Sequence, residues 1–352
     1  MSQRPKDKGV IMGKETSKRR IWITIGIVVL VLVVLIFFSD IQKVVDILLD
    51  ADWVVLGLAA LCMVGGMLLI TTRWRYFLDN RPKFLPTLHA DAISYTSKFF
   101  MPIPIPVLRV VNLAQTTSID VSESTPAAVL NQTISFIMRL VALALTLLFL
   151  SRTPLSIWVI LGGALFLMGL FGIVSWLVKN ANKYLPRLTK LLARLPNMNE
   201  ESLHGAMANI QTGLSQVQST RKLVVALLIS IVMWTFFLFF YTLGFYALDL
   251  GVNTREAFAM ASAALVIIPP SSPPMIGVYQ GIMVAILAAF GILNLSESTA
   301  YAILVFVVML VLWSVLALWG MRKENLRVSD VIHESRSGAN VDTAPAEDPA
   351  NS

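Results

Sequence analysis

Long apolar runs, each separated from the next by a short block of charge, limit this chain to a small set of folds. Of its 352 residues, 56% are hydrophobic and only 14% are charged, whereas a soluble domain carries about 25% charged residues. In lipid, a chain can satisfy its backbone hydrogen bonds only as helices or as a closed barrel. Apolar runs of about 18 or more residues are typical of helices. The sequence therefore predicts an all-α polytopic protein of the cell membrane.

The distribution of the net charge of +7 predicts the topology. Lysine and arginine are enriched on the cytoplasmic side, so the loop at 39–52, with four aspartates and one lysine, is expected outside. The basic blocks at 73–83 and 179–194 are expected inside. Both chain termini are then cytoplasmic, with six full spans, or eight if both halves of a broken segment at 257–292 cross. The six predicted spans are 21–38, 53–72, 131–150, 155–178, 222–248 and 299–321.

The polar segments divide the rest of the chain. Residues 1–20 and 323–352 are predicted to be disordered cytoplasmic termini around a transmembrane domain at 21–322. Within this domain, residues 186–220 alternate polar and apolar at helical spacing and predict an amphipathic cytoplasmic helix. The first apolar run, 21–38, follows basic residues as a signal peptide would. No small-x-small cleavage site follows it, so an uncleaved span is predicted.

Prolines interrupt two apolar stretches. In each stretch, the part on either side of the prolines is too short to cross a bilayer comfortably. The stretch 84–110 contains Pro102, Pro104 and Pro106, and 257–292 contains four prolines. Broken backbone persists at membrane depth only against protein or a watery cavity. Counting the membrane crossings back from the cytoplasmic block at 179–194 places both ends of the first stretch inside. This stretch is therefore either re-entrant or lies along the surface. The second is either part of a transport site or a tight surface loop.

Arg139 lies in the middle of an apolar run, where a guanidinium costs at least about 2.5 kcal/mol to insert. Asn131 and Ser135 precede it at intervals of four and share its helix face, with Gln132 close by. We therefore expect Arg139 to face the protein interior. It would act either as an anchor for a lipid phosphate, which arginine binds bidentately, or as a tether to a carbonyl of a broken helix.

Other polar residues beside the two breaks are candidates for the same site. Lys98 and Arg109 flank the first break and would add positive charge, although both are also typical of cytoplasmic flanks. Tyr279 and Gln280 follow the second break, and each either hydrogen-bonds a headgroup or packs. We expect the segments 101–109 and 269–280 to lie against each other and to line one cavity.

The sequence shows no pattern typical of an enzyme. The three histidines lack metal-ligand spacing, and the single cysteine, Cys62, lies in an apolar run. No nucleophile–base pair, carboxylate pair or phosphate loop is present. We therefore expect no catalysis and no cofactor or metal, and the basic blocks give topology rather than a nucleic-acid footprint.

Motifs around the breaks carry a family resemblance. KFFMP at 98–102 continues to Arg109 and is followed by the span with Arg139. SPPMIGVYQ stands at 272–280, and RWR at 73–75. In order and spacing, the first two resemble N-x-x-x-P with G-G-D-x-x-R and an in-membrane arginine, and S-P-G-G-x-G-V-x-E. These motifs are those of the transmembrane domain of the lysylphosphatidylglycerol synthase/flippase family, over residues 20–322.

The departures from the family pattern concern mechanism. Lys98 stands where the family has Asn, Pro106 where it has Asp, and Gln280 where it has Glu. The resemblance implies the fold and a flippase-like role, but not a proton-coupled mechanism, because both acidic side chains are absent. Members that synthesise aminoacyl lipids carry a soluble transferase domain after this one. Here a short polar tail follows, so synthesis is not expected.

Two functions remain open. The first is a translocator, or flippase, of an anionic or lipid-linked substrate. The second is a non-transporting subunit that binds or presents membrane lipid to a separate lipid-modifying enzyme; further copies of the chain are another partner to consider. The predicted substrate-binding residues are Lys98, Arg109, Asn131, Arg139, Ser272, Tyr279 and Gln280.

The topology is testable by labelling single cysteines introduced at Asp46, Glu201 and Ser337. A membrane-impermeant reagent added to intact cells should label the first and should reach the other two only after permeabilisation. An external Glu201 would overturn the count of membrane crossings and the re-entrant interpretation of 84–110 that rests on it.

Overall fold

The computed structural model describes residues 40–100, 103–119, 121–150, 220–266 and 275–326. Every regular element within these ranges is an α-helix, as predicted. The helices are α1 Ile41–Leu49, α2 Trp53–Phe77, α3 Phe84–Phe100, α4 Ile105–Thr116, α5 Val121–Leu150, α6 Thr220–Ala247, α7 Thr254–Val266, α8 Met275–Ala289 and α9 Leu295–Lys323.

Four of these helices are long and apolar enough to cross a bilayer, and they coincide with four of the six predicted spans. The span segments are Trp53–Phe77, Ala127–Phe149, Arg221–Ala247 and Leu295–Lys323. The predicted spans 21–38 and 155–178 lie outside the described residues. So do the predicted disordered N-terminus, residues 327–352 of the predicted C-terminal tail and, apart from its last residue, the amphipathic helix 186–220. Lys323, the first residue of that tail, is helical and ends α9.

Helices extend into parts of two predicted loops. α2 continues beyond residue 72 to Phe77, so Arg73 and Arg75 belong to the helix rather than to a basic cytoplasmic loop. The helix continues because Arg73 finds hydrogen-bond partners inside the protein and is only 2% exposed. Arg255 and Glu256, expected in an outer loop, lie in the first turn of α7.

Two adjacent glycines, Gly65 and Gly66, bring α2 against α6. A Cβ added to Gly66 would lie 2.3 Å from Phe237 Cε1, and one added to Gly65 would lie 2.8 Å from the Phe236 ring. Small residues matter here because helices within lipid associate through packing rather than through a hydrophobic driving force.

The first break lies between α3 and α4. α4 begins at Ile105, and Pro106 stands in its first turn, where a missing N–H removes no intrahelical bond. The two helices contact each other, and α3 also packs against α9.

Hydrogen bonds join α3 and α4 across the break into a helical hairpin. Asn112 Nδ2 donates to Ser94 Oγ at 2.9 Å, and Arg109 Nε donates to Asp91 Oδ1 at 2.7 Å. Residues on either side of the break therefore pair across it. Asp91, Ser94 and Asn112 are fully buried, so both helices of the hairpin turn polar side chains toward the protein interior, and the choice between a re-entrant and a surface position stays a prediction.

The second break separates α7 from α8, and its four prolines, with Ser272, lie outside the described residues. α8 has Gly277 in its first turn with φ of +81°, a conformation that favours glycine. The Gly277 N–H donates to Gln280 Oε1 at 2.7 Å. Gln280 thus satisfies a backbone donor at the start of α8, as a capping side chain does.

The glycine packing gives a matched pair of variants. Gly66→Ala should lower stability by about 1–3 kcal/mol, because the added methyl group overpacks the contact with Phe237. Gly57→Ala, on the same helix with nothing within 4 Å of its added Cβ, should be neutral or slightly stabilising. Thermal unfolding in detergent measures both. Equal effects would show that the close approach of α2 and α6 does not limit stability.

Candidate functional site

A cavity of about 120 Å³ lies among the helices. Its wall draws on α2, α3, α4, α5, α6, α7 and α9, and it is largely apolar and aromatic. The lining residues are Met63, Ile70, Arg73, Trp74, Tyr95, Phe99, Ile105, Pro106, Arg109, Ala128, Asn131, Gln132, Ser135, Arg139, Met233, Trp234, Phe237, Tyr241, Leu265, Met309 and Trp313. Among the residues that the structure describes, three arginines and no acidic side chain belong to this lining.

Arg73 belongs to this wall and donates three hydrogen bonds to neighbouring helices. Its Nε donates to Asn131 Oδ1 at 2.9 Å, its Nη2 to Ser135 Oγ at 2.8 Å, and its Nη1 to Ser230 Oγ at 2.8 Å. These bonds connect α2 to α5 and to α6. All three acceptors are neutral, so the charge of Arg73 is solvated but not neutralised.

Arg109 has a carboxylate partner. Its Nε donates to Asp91 Oδ1 at 2.7 Å, and Asp91 Oδ2 accepts from the Thr71 hydroxyl at 2.7 Å. The Arg109 guanidinium also lies over the ring of Trp74, with Cζ 4.5 Å from the centroid, which adds a cation–π attraction. Both carboxylate oxygens of Asp91 therefore accept hydrogen bonds within the contact between α2, α3 and α4. One Arg109 nitrogen, Nη2, has no acceptor among the described residues.

The α5 face predicted from spacing does line the cavity. Asn131, Gln132, Ser135 and Arg139 all belong to the wall. Arg139 Nε is buried and has no hydrogen-bond partner. Within the described ranges we find no bond from Arg139 to a helix carbonyl. Residues 101–102 and 267–274 of the two breaks lie outside those ranges, so the tether alternative stays a prediction.

Several N–H groups of the lining residues lack acceptors in the described part of the chain. They are Trp74 Nε1, Trp234 Nε1, Arg109 Nη2 and Arg139 Nε. A buried donor without a partner costs about 1–3 kcal/mol. An anion that accepts several hydrogen bonds would remove that cost and would also offset the positive charge of the wall.

Four predicted site residues lie elsewhere or cannot be placed. Lys98 is fully buried near the end of α3, does not line the cavity, and its Nζ has no partner in the described segments. Tyr279 reaches the cavity only indirectly, through a 3.1 Å hydrogen bond with Tyr241. Gln280 binds Gly277, and Ser272 falls outside the described residues.

The expected contact between the two breaks is therefore described only in part. Ile105, Pro106 and Arg109 line the cavity, while 267–274 are not described. α8 contacts α3 and α9, but none of the α8 side chains that the structure describes belongs to the cavity lining.

Sequence reasoning missed the roles of Arg73 and Asp91. Arg73 follows an apolar run and looks like an ordinary flanking charge. A usable signal was present, since Asp91 and Arg109 carry opposite charges and lie on the two sides of the first break. Folding the stretch back on itself would have paired them. The described residues contain no group of three or more side chains suited to a metal ion.

The buried pair predicts a large stability effect. Asp91→Asn should lower the free energy of unfolding by about 3 kcal/mol, because it strands the Arg109 charge. Asp46→Asn, the same change at an exposed position of α1, should have little effect. Chemical unfolding in detergent compares the two, and a small loss for Asp91→Asn would mean that Trp74 and water suffice to hold Arg109.

Comparison with known proteins matches this architecture to a family. A family model described as the lysylphosphatidylglycerol synthase TM region matches residues 21–319, most of the chain. Neither the curated proteins nor the solved structures compared with it give a match. The motifs, the helical architecture and the extent of the match agree, and the chain belongs to the lysylphosphatidylglycerol synthase TM region family.

Proposed function

We propose that this protein translocates an anionic lipid, or a lipid-linked anion, across the membrane without acting as an enzyme. The observation that carries the proposal is the wall of the cavity. It combines three arginines with no acidic side chain, and it leaves N–H donors of Arg109 and Arg139 without acceptors in the described residues. Such a wall suits a phosphate better than a neutral or cationic headgroup.

The three arginines have different roles in this proposal. Arg109 and Arg139 bind the headgroup, since each retains a free N–H donor. Arg73 contributes chiefly its charge, because three of its five N–H groups, one on each nitrogen, already donate to protein. Trp74, Trp234 and the other aromatic residues exclude water, which strengthens each charge-assisted hydrogen bond.

The two breaks supply the pathway. Helices interrupted within a membrane place substrate near their broken ends, and the α3–α4 hairpin brings Ile105 and Arg109 to the cavity. We infer that this hairpin is re-entrant from the cytoplasmic side and that both chain termini are cytoplasmic. The headgroup would then enter from the basic side of the membrane.

The direct test is lipid transfer in proteoliposomes. Labelled phosphatidylglycerol and labelled phosphatidylcholine are followed by their accessibility to an external quencher. The proposal expects faster transfer of the anionic lipid than in protein-free vesicles. Saturable binding of the anionic lipid without transfer would instead support the non-transporting subunit.

Arg139→Gln should reduce transfer to the level of protein-free vesicles while the protein remains inserted and folded, because glutamine is cheaper to bury than arginine. Arg322→Gln, the same change at an exposed position in the last turn of α9, should transfer lipid like the unmodified protein. Gel filtration and thermal unfolding check folding. Unchanged transfer by Arg139→Gln would remove Arg139 from the site.

A further inference from the structure

The charges of the cavity wall do not cancel. Arg109 is neutralised by Asp91, whose Oδ1 lies 2.7 Å from Arg109 Nε. Arg73 donates to three neutral side chains, and no ion pair among the described residues includes Arg73 or Arg139. Arginine keeps its proton inside proteins. Three positive charges therefore face one negative charge, and two of them have no counter-charge in the described part of the wall.

The sequence shows that the undescribed apolar stretches contain no acid that could cancel this excess. Neither aspartate nor glutamate occurs in residues 21–38, 101–102, 155–178 and 267–274. Glu123, in the first turn of α5, precedes Asn131 by eight positions, about 12 Å along a helix axis. Asp79, just beyond α2, is exposed and pairs with Lys222. The two charges of the wall are thus left for a ligand to balance.

The wall also has enough hydrogen-bond donors for an anion with several free oxygens. Trp74 Nε1, Trp234 Nε1, Arg109 Nη2 and Arg139 Nε lack acceptors within the described segments. The remaining lining is largely apolar and aromatic, so charges interact more strongly there than in water. A buried charge in such surroundings is tolerated only when it is paired. A ligand with one negative charge would leave one arginine charge unpaired, whereas a ligand with two would pair both.

We propose that the cavity selects ligands with two negative charges, and that its lipid substrates are those whose headgroup ends in a phosphomonoester rather than a phosphodiester. A phosphomonoester carries close to two charges at neutral pH, and a phosphodiester carries one. The inference rests on the proposed function in that the ligand is an anion, and it names the substrate class. Diester lipids are still attracted to the wall, but they bind more weakly.

Sulfate and methyl sulfate test the charge of the ligand apart from any lipid. Both are sulfate groups, and esterification removes one of the two charges. Calorimetric titration of the full chain in detergent at pH 8 gives the two dissociation constants. Sulfate should bind at least about tenfold more tightly than methyl sulfate, because one further charge-assisted hydrogen bond contributes at least that much.

Arg73 tests whether this preference follows the charge of the wall. Arg73→Met removes a buried charge rather than stranding one, and the preference for sulfate should fall about tenfold, close to equal binding. Arg73→Lys keeps the charge while it changes the hydrogen bonds, and it should keep the preference. A merely structural role for Arg73 would weaken both anions alike and would leave their ratio unchanged in both variants.

Arg139 provides the same test on a different helix. Arg139→Gln also lowers the charge of the wall by one, so it should reduce the preference as Arg73→Met does, and it replaces that variant if Arg73→Met does not fold. Arg322→Gln removes an equal charge at an exposed position in the last turn of α9. This control should keep the preference, because the charge of the wall is unchanged. Gel filtration and thermal unfolding check each variant.

A second pair of ligands distinguishes a lipid from a free anion. Dihexanoyl phosphatidic acid is a phosphomonoester, and dihexanoyl phosphatidylglycerol is a phosphodiester. A preference for the monoester that Arg73→Met or Arg139→Gln abolishes supports the inference and identifies a lipid ligand, whereas a preference confined to the sulfate pair identifies a free anion.

Equal binding within both pairs, or a preference that survives both arginine variants, overturns the inference. Binding of no anion at all by the unmodified protein would overturn the proposed function as well. Lipid transfer is measured separately. Transfer of phosphatidylglycerol without any charge preference would therefore leave the translocator standing and remove only this inference, and a charge preference without transfer would remove only the translocator.

Discussion

The removal of the Arg73 guanidinium from water is the constraint on which the arrangement of α2, α5 and α6 depends. A buried charge is tolerated only where its hydrogen bonds are replaced. Arg73 replaces them with Asn131 and Ser135 on α5 and Ser230 on α6. α2 contacts α6 closely through its two glycines, and this close approach suits a short serine side chain as a partner for Arg73.

The cavity wall is positively charged because its three arginines are neutralised to different extents. Arg109 is paired with Asp91, Arg73 is hydrogen-bonded only to neutral groups, and Arg139 has an unpartnered nitrogen. A wall in which every arginine had its own carboxylate would hold together as well but would exert no net attraction on an anion. Because only one acidic side chain contacts the three arginines in the described segments, the wall retains positive charge.

Much of the fold follows from composition alone, whereas the site follows only in part. Apolar length and charge blocks predict four of the described membrane helices, and the proline clusters predict both interruptions. Spacing by four places Asn131, Ser135 and Arg139 on one wall. Arg73 escaped notice because a buried arginine and a flanking one look alike in sequence. What distinguishes them is the presence of Ser230, which is 157 positions away, and no local pattern reports a contact so distant.

Two of the departures from the family motifs, Lys98 and Gln280, have local explanations in the backbone chemistry of the helix ends. At the second break, the start of α8 needs an acceptor for the Gly277 N–H, and the amide oxygen of Gln280 supplies it at 2.7 Å. A carboxylate would serve equally, so the backbone does not require the negative charge there. At the first break, Lys98 lies in the last turn of α3, where the negative end of the helix dipole favours a cation. Both helix ends can therefore form without the family's Asn at position 98 and Glu at position 280, and the start of α8 does not depend on a negative charge at the second break.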